Sequence, residues 1–180
     1  MRPIKGMSVL VTGGGSGLGE GIARHFCAVG ARVTISGRRP DKIEAVATSI
    51  GESCRAVESD VTDPDGRTVM VAAAVEHGNG RLDVLVNNAG NMYRGPLAEL
   101  EEQALIEVFH SNMIGAMMLT QAALPHLVES AGCVLFMGSV HSQRAFPGAS
   151  PYAATKGAVE TLTAVLAAEL GPANPHSSGE

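Results

Sequence analysis

The sequence predicts an α/β fold: a doubly wound parallel sheet of about five strands with helices on both faces. Apolar runs of strand length alternate along the chain with segments of helical period. Several runs are continuous Val/Leu/Ile stretches rather than alternating ones, as strands covered on both faces require. Composition agrees: 180 residues, 45% hydrophobic and 17% charged, suffice for one domain with a sizeable core.

Each element can be read in turn. Ser8–Thr12 is an apolar run stopped by glycines, and runs of the same kind occur at Arg32–Ser36, Arg55–Glu58, Val84–Asn87 and Cys133–Met137. Helical period predicts helices over Gly17–Val29, Asp41–Ile50 and Pro64–His77. Arg39-Pro40-Asp41 and Asp63-Pro64 put a proline near the start of the second and third of these, where its missing N–H is harmless. Two longer helices are expected over Glu101–Glu129 and Pro151–Leu170. No repeat or low-complexity tract interrupts the series, so residues 1–170 read as one domain. Residues 171–180 are polar, hold two prolines and no apolar run, and read as a disordered tail.

Bulk properties exclude several functions. The net charge is −5 and no Lys/Arg run forms a basic stripe, so no nucleic-acid partner is expected. Aromatics at 3% rule out a base-stacking platform. Cys27, Cys54 and Cys133 show no metal-ligand spacing and read as reduced thiols, with no metal site. The apolar stretch near the N-terminus is too short for a membrane span and has no A-x-A cleavage pattern. A cytoplasmic protein with no membrane partner is the expectation.

Chemistry concentrates at four places. After the first strand comes Thr12-Gly13-Gly14-Gly15-Ser16-Gly17-Leu18-Gly19. Such glycines let the backbone turn tightly against a pyrophosphate placed at the next helix's N-terminus. Alone, the cluster also reads as a flexible loop. The second strand ends Ser36-Gly37-Arg38-Arg39, with glycine where an acid selecting NAD would stand. Arginine there suits a 2′-phosphate, Arg38 first and Arg39 second, although both also read as solvated loop charges. The fourth strand ends Asn87-Asn88-Ala89-Gly90, residues that mark ordinary turns too. Last, Tyr152 and Lys156 stand four apart at the start of the final helix, on one face. A tyrosine of ordinary pKa, about 10, is a poor base at neutral pH, and an adjacent ammonium favours its phenolate.

Taken in order on these elements, the motifs resemble the short-chain dehydrogenase/reductase family over about Ser8 to Leu170. Its first turn reads T-G-x-x-x-G-x-G, matched by Thr12, Gly13, Gly17 and Gly19; its N-N-A-G is matched at 87–90. Its catalytic serine falls thirteen residues before the tyrosine, which is Ser139. Its helix asparagine is matched by Asn112.

The resemblance implies a Rossmann-type fold and an NADP(H)-dependent oxidoreductase interconverting a small-molecule carbonyl and an alcohol. Tyr152 would be the acid/base, Lys156 its partner, Ser139 the holder of the substrate oxygen, and Asn112 the holder of a water leading from the lysine to solvent. The cofactor would touch Thr12, Gly13, Ser16, Gly17, Leu18, Gly19, Arg38, Arg39, Asp60, Val61, Asn88, Ala89 and Gly90, and also Tyr152 and Lys156. Asp60, apart from the resemblance, reads as a turn or helix-cap residue. The two long helices would build a homodimer or homotetramer, although the apolar run Met113–Leu119 fits core packing equally. His141, Ser142, Gln143 and Arg144, on the loop between Ser139 and Tyr152, read either as substrate contacts or as polar loop residues, the second being favoured, and Met113, Met117 and Met118 read as a packing stripe.

Family members continue with a sixth strand, a P-G turn, a substrate-covering loop and a seventh strand, and none is readable here. The expectation is a C-terminally truncated relative with an uncovered fifth strand and little turnover. The alternative function is a silent dinucleotide-binding or interaction module.

Overall fold

The structure is a computed structural model describing residues 3–171; the expected disordered stretch 171–180 lies, Gly171 apart, outside them. The chain divides into two compact units. The first comprises the described parts of Met1–Gly90 with Ile114–Met137, the second the described parts of Asn91–Met113 with Gly138–Glu180.

The first unit contains the sheet, five parallel strands in the order β3-β2-β1-β4-β5. They are β1 (Ser8–Thr12), β2 (Arg32–Gly37), β3 (Cys54–Glu58), β4 (Val84–Asn87) and β5 (Cys133–Phe136). β1 lies in register with Arg32–Ser36 on one flank and with Val84–Val86 on the other. The chain starts in the centre, winds outward through β2 and β3, then returns to the far side of β1. The order therefore reverses between β1 and β4, and the crevice at their C-terminal ends is where ligands bind in open α/β sheets.

Alternation along β1 feeds two cores. Val9 and Val11, with Val33, Ile35, Val84 and Val86, face Ala23 of α1 (Gly17–Ala28) and Ile43 and Val46 of α2 (Pro40–Ile50). Leu10 and Leu85 face Met70, Val71 and Ala74 of α3 (Pro64–His77) and Leu119, Ala123 and Leu127 of α5 (Gly115–Ser130). Both sheet faces are thus covered, as the continuous apolar runs predict.

The expected single helix over Glu101–Glu129 is broken. α4 (Glu102–Phe109) ends in a π turn, His110–Ile114, before α5 begins. The methionine stripe also fails. Met117 is 42% and Met118 39% exposed, because the packed face of α5 runs through Ala116, Leu119, Ala123 and Leu127. The second unit is completed by short 3₁₀ turns at Leu97–Glu99 and Val140–Ser142 and by α6 (Ser150–Leu170), which packs on α4.

Two buried side chains in the first unit have environments that the sequence did not show. Burial, with the Cys27 thiol beside it, pushes the Cys54 thiol up to about 12, so it is not a nucleophile at neutral pH. Asp83, only 3% exposed, locks the start of the sheet. Its Oδ2 accepts the Ser8 N–H at 3.0 Å and its Oδ1 accepts from Arg81 at 2.7 Å. Its main chain pairs with Ser8 and Cys133, joining the starts of β1, β4 and β5. Asp83→Ala leaves a buried donor without that acceptor, a cost of about 2–3 kcal/mol. The expected fall in Tm is roughly 5–10 °C by calorimetry; a fall under about 2 °C would show that the carboxylate does not hold the strand starts together.

Candidate active site

In the first unit, the turns after β1 and β4 are one hydrogen-bonded piece. The buried Thr12 Oγ1 accepts the N–H groups of Asn88 (3.0 Å) and Ala89 (2.9 Å) and donates to the Val86 carbonyl (3.3 Å). Asn88 Nδ2 donates in return to the carbonyls of Thr12 (2.8 Å) and Gly13 (3.3 Å). Glycine is required here. Gly13 has φ +67°, and a Cβ on it would lie 3.0 Å from Asn88 Nδ2; a Cβ on Gly19 would collide with the Gly13 carbonyl oxygen and stand 2.5 Å from Asn88 Nδ2.

The same turn fits a dinucleotide phosphate. At the start of α3, Asp63 caps the helix by accepting from Asp65 and Gly66 N–H. At the start of α1, by contrast, Ser16 makes no side-chain cap bond, and the space beside Gly17 is open. The first amides of α1 thus lack the internal carboxylate that α3 carries, and an anion is the natural partner for them. Leu18 next to them is 71% exposed.

Near the turn, Arg39 Nη2 donates to Ser16 Oγ at 3.4 Å. Arg38 Nη1 lies 3.7 Å from Asp60 Oδ2, with the arginine side chain 65% exposed. Asp60 Oδ1 also accepts the Thr62 N–H, the turn-capping role that its residue type suggests. Val61 is buried, and its carbonyl accepts from the buried Arg67.

The second unit brings together Asn112, Ser139, Tyr152 and Lys156. Tyr152 and Lys156 share a face of α6, with Lys156 Nζ 5.6 Å from the centroid of the Tyr152 ring. Lys156 is 6% exposed, and burial holds its pKa below the ordinary lysine value. Asn112, in the π turn, accepts the Asn91 N–H at 2.6 Å and donates to the Asn91 carbonyl at 2.9 Å and to Thr155 Oγ1 at 3.1 Å. Thr155, fully buried, donates to the Tyr152 carbonyl at 2.8 Å. Both amide hydrogens of Asn112 are therefore engaged by protein. It braces the start of α6, and Oδ1 keeps one lone pair for a water.

Ser139 caps the 3₁₀ turn over Val140–Ser142, its hydroxyl accepting the His141 N–H at 3.2 Å. Neither sequence reading of His141, substrate contact or polar loop residue, anticipates its contacts with Ser139. Its Nδ1 lies 3.1 Å from Ser139 Oγ. Its ring is 4.4 Å from that of Phe146 and meets the Tyr152 ring edge-on at 5.2 Å. Ser142 stays local, bonding the Ser139 carbonyl, and Gln143 bonds Glu160; Arg144 is exposed. Neither His141 nor Thr155 sits at a spacing that would have singled it out.

A doubly wound parallel sheet with a glycine turn at its switch point defines a dinucleotide-binding fold of the Rossmann type. The chain belongs to the short-chain dehydrogenase family, which it matches over residues 7–174. It is 33% identical over 172 residues to gluconate 5-dehydrogenase of Gluconobacter oxydans (strain 621H), covering 93% of this chain and 67% of that protein. It is 35% identical to meso-2,3-butanediol dehydrogenase of Serratia marcescens, covering 91% of this chain and 65% of the relative. Among solved structures, 3-ketoacyl-(acyl-carrier-protein) reductase from Brucella melitensis, complexed with NADH, superposes with a TM-score of 0.91 at 34% identity, covering 94% of this chain and 72% of that one. The chain thus spans about two thirds of the length of these relatives. No described helix is long and apolar enough to cross a membrane, and no described group of His, Cys, Asp or Glu could hold a metal ion.

Proposed function

We propose that this protein is an NADP(H)-dependent oxidoreductase that interconverts a ketone and a secondary alcohol, with Tyr152 as the proton donor and acceptor. The observation that carries this reading is the pairing of Tyr152 with a buried Lys156 on one face of α6. The bound nicotinamide supplies or takes the hydride. Ser139 holds the substrate oxygen by its hydroxyl, and in reduction Tyr152 gives its proton to the oxygen as charge develops there. The Lys156 ammonium favours the phenolate that remains, and Asn112, through Thr155, keeps the first turn of α6 in place. The gluconate, butanediol and ketoacyl relatives are all named for substrates with a hydroxyl or carbonyl carbon. A ketone or secondary alcohol is therefore the substrate class to screen, following NADPH oxidation at neutral pH. No ketone-dependent oxidation across such a panel, by a protein that still binds NADPH, would refute the reading in favour of the silent dinucleotide-binding module.

The dinucleotide rests on Thr12, Gly13, Gly17, Gly19 and Asn88, with Leu18, Ala89 and Gly90 alongside and Asp60 and Val61 at the adenine. Choice of NADP(H) over NAD(H) rests on Arg38, with Arg39 and Ser16 as a second anchor for the 2′-phosphate. Asp60 pairs with Arg38 and so keeps the guanidinium near the second strand's end. Arg38→Asp removes a charge-assisted contact and adds a repulsive carboxylate. The expected outcome is roughly a 10- to 100-fold loss of NADPH affinity with NADH affinity nearly unchanged. Fluorescence titration of both reduced cofactors at fixed ionic strength checks it, and an unaltered preference would remove Arg38 from the role.

A further inference from the structure

The hydroxyl of Ser139 has one hydrogen to give and two lone pairs to receive with. One lone pair is taken by the His141 N–H at 3.2 Å. The other neighbour, His141 Nδ1 at 3.1 Å, can act in either sense. If Nδ1 is bare, it accepts the serine hydrogen, and the hydroxyl can then only receive a bond from a substrate. If Nδ1 carries a hydrogen, it fills the second lone pair, and the serine hydrogen is left to point elsewhere. Only the second state can donate to a carbonyl oxygen or an alkoxide.

We propose that His141 is a positioning residue for Ser139: it holds its hydrogen on Nδ1, saturates the acceptor capacity of Ser139 Oγ, and so leaves the serine O–H available to the substrate oxygen. This rests on the role proposed for Ser139 above. The surroundings are built to hold the imidazole at that angle. Phe146 covers one side of the ring, with centroids 4.4 Å apart and planes inclined by 33°. The ring meets Tyr152 nearly perpendicularly, at 85° and 5.2 Å. The backbone of the same residue supplies the other bond to Oγ, because the Val140–Ser142 turn returns the chain over Ser139. One residue thus fills both acceptor sites of the hydroxyl.

The tautomer is read directly from nitrogen-15 NMR of histidine-labelled protein in alkaline buffer, with the His141 signal identified by its loss in His141→Asn. The expected result is the Nδ1–H form in the parent protein and a shift of the His141 ring signals in Ser139→Ala. An Nε2–H form, or ring signals that ignore Ser139→Ala, would overturn the proposal whether or not the protein turns over.

Kinetics provide the second arm. His141→Phe keeps an aromatic ring but loses the donor, and should lower kcat roughly tenfold with NADPH affinity and Tm unchanged. His141→Asn, whose side-chain amide can donate from a similar position, should recover most of that loss. In a Ser139→Ala background His141→Phe should cost nothing further; a full loss there would mean that His141 acts other than through Ser139. If instead Ser139→Ala itself leaves turnover intact, the role given to Ser139 is what fails.

Discussion

Replacing Tyr152 by phenylalanine is expected to lower ketone-dependent NADPH oxidation by about 10²–10⁴-fold, the usual span for a removed general acid, while NADPH affinity changes less than about twofold. The argument is one of separation. The described contacts of Tyr152 are made by its ring and its backbone: the ring meets His141 and lies 5.6 Å from Lys156 Nζ, and the carbonyl accepts from Thr155. Phenylalanine keeps all three, so the helix and its neighbours stay as they are and Tm should move by no more than about 2 °C, within the range of a substitution that leaves packing intact. What disappears is the oxygen that, in the proposed mechanism, gives up a proton as the substrate oxygen gains charge. A drop in kcat with unchanged cofactor binding assigns the residue to the chemical step. Full turnover by Tyr152→Phe would leave the proposed mechanism without its acid, and a parallel loss of folding would show that the hydroxyl serves structure instead.

The parts of this molecule legible in the sequence are those set by local composition. β1 and β4 stand out because a strand covered on both faces must be largely apolar, and Val9, Leu10 and Val11 serve two different cores from one continuous run. The glycine turn stands out because no other residue fits at Gly13 or Gly19 without striking Asn88 or the neighbouring main chain. What stayed hidden depends on residues distant in sequence. The hydroxyl of Thr12 tying together Asn88 and Ala89, 76 and 77 positions away, has no local signature. The π turn at His110–Ile114 uses the same residue types as the helices on either side; the disfavoured mid-helix Asn112 was its only trace. The partners of His141 were hidden for a similar reason. Its contacts arise only when the Val140–Ser142 turn and Phe146 bring a loop back over Ser139.

Lys156 yields the other large effect, and it has two opposite signs. Lys156→Met should reduce turnover by about 10²–10⁴-fold, because it removes the ammonium that the proposed mechanism places beside Tyr152, yet it should stabilise the fold. The side chain is 6% exposed, and desolvation holds its folded pKa below the reference value of 10.5. Between the folded pKa and 10.5 the unfolded chain binds more protons than the folded one, so stability rises with pH across that window. Below the window both states are protonated, and the cost of keeping an ammonium out of water is present in full. Methionine has similar length and carries no charge, so it avoids that cost and Tm should rise. The gain should be greatest at neutral pH and shrink as the pH approaches the lysine's unfolded value. Scanning calorimetry of both proteins across neutral to alkaline buffers measures it. A variant less stable than its parent at neutral pH would mean that the bonds Lys156 makes outweigh its burial; a more stable, inactive one would show a residue kept for chemistry against the preference of the fold.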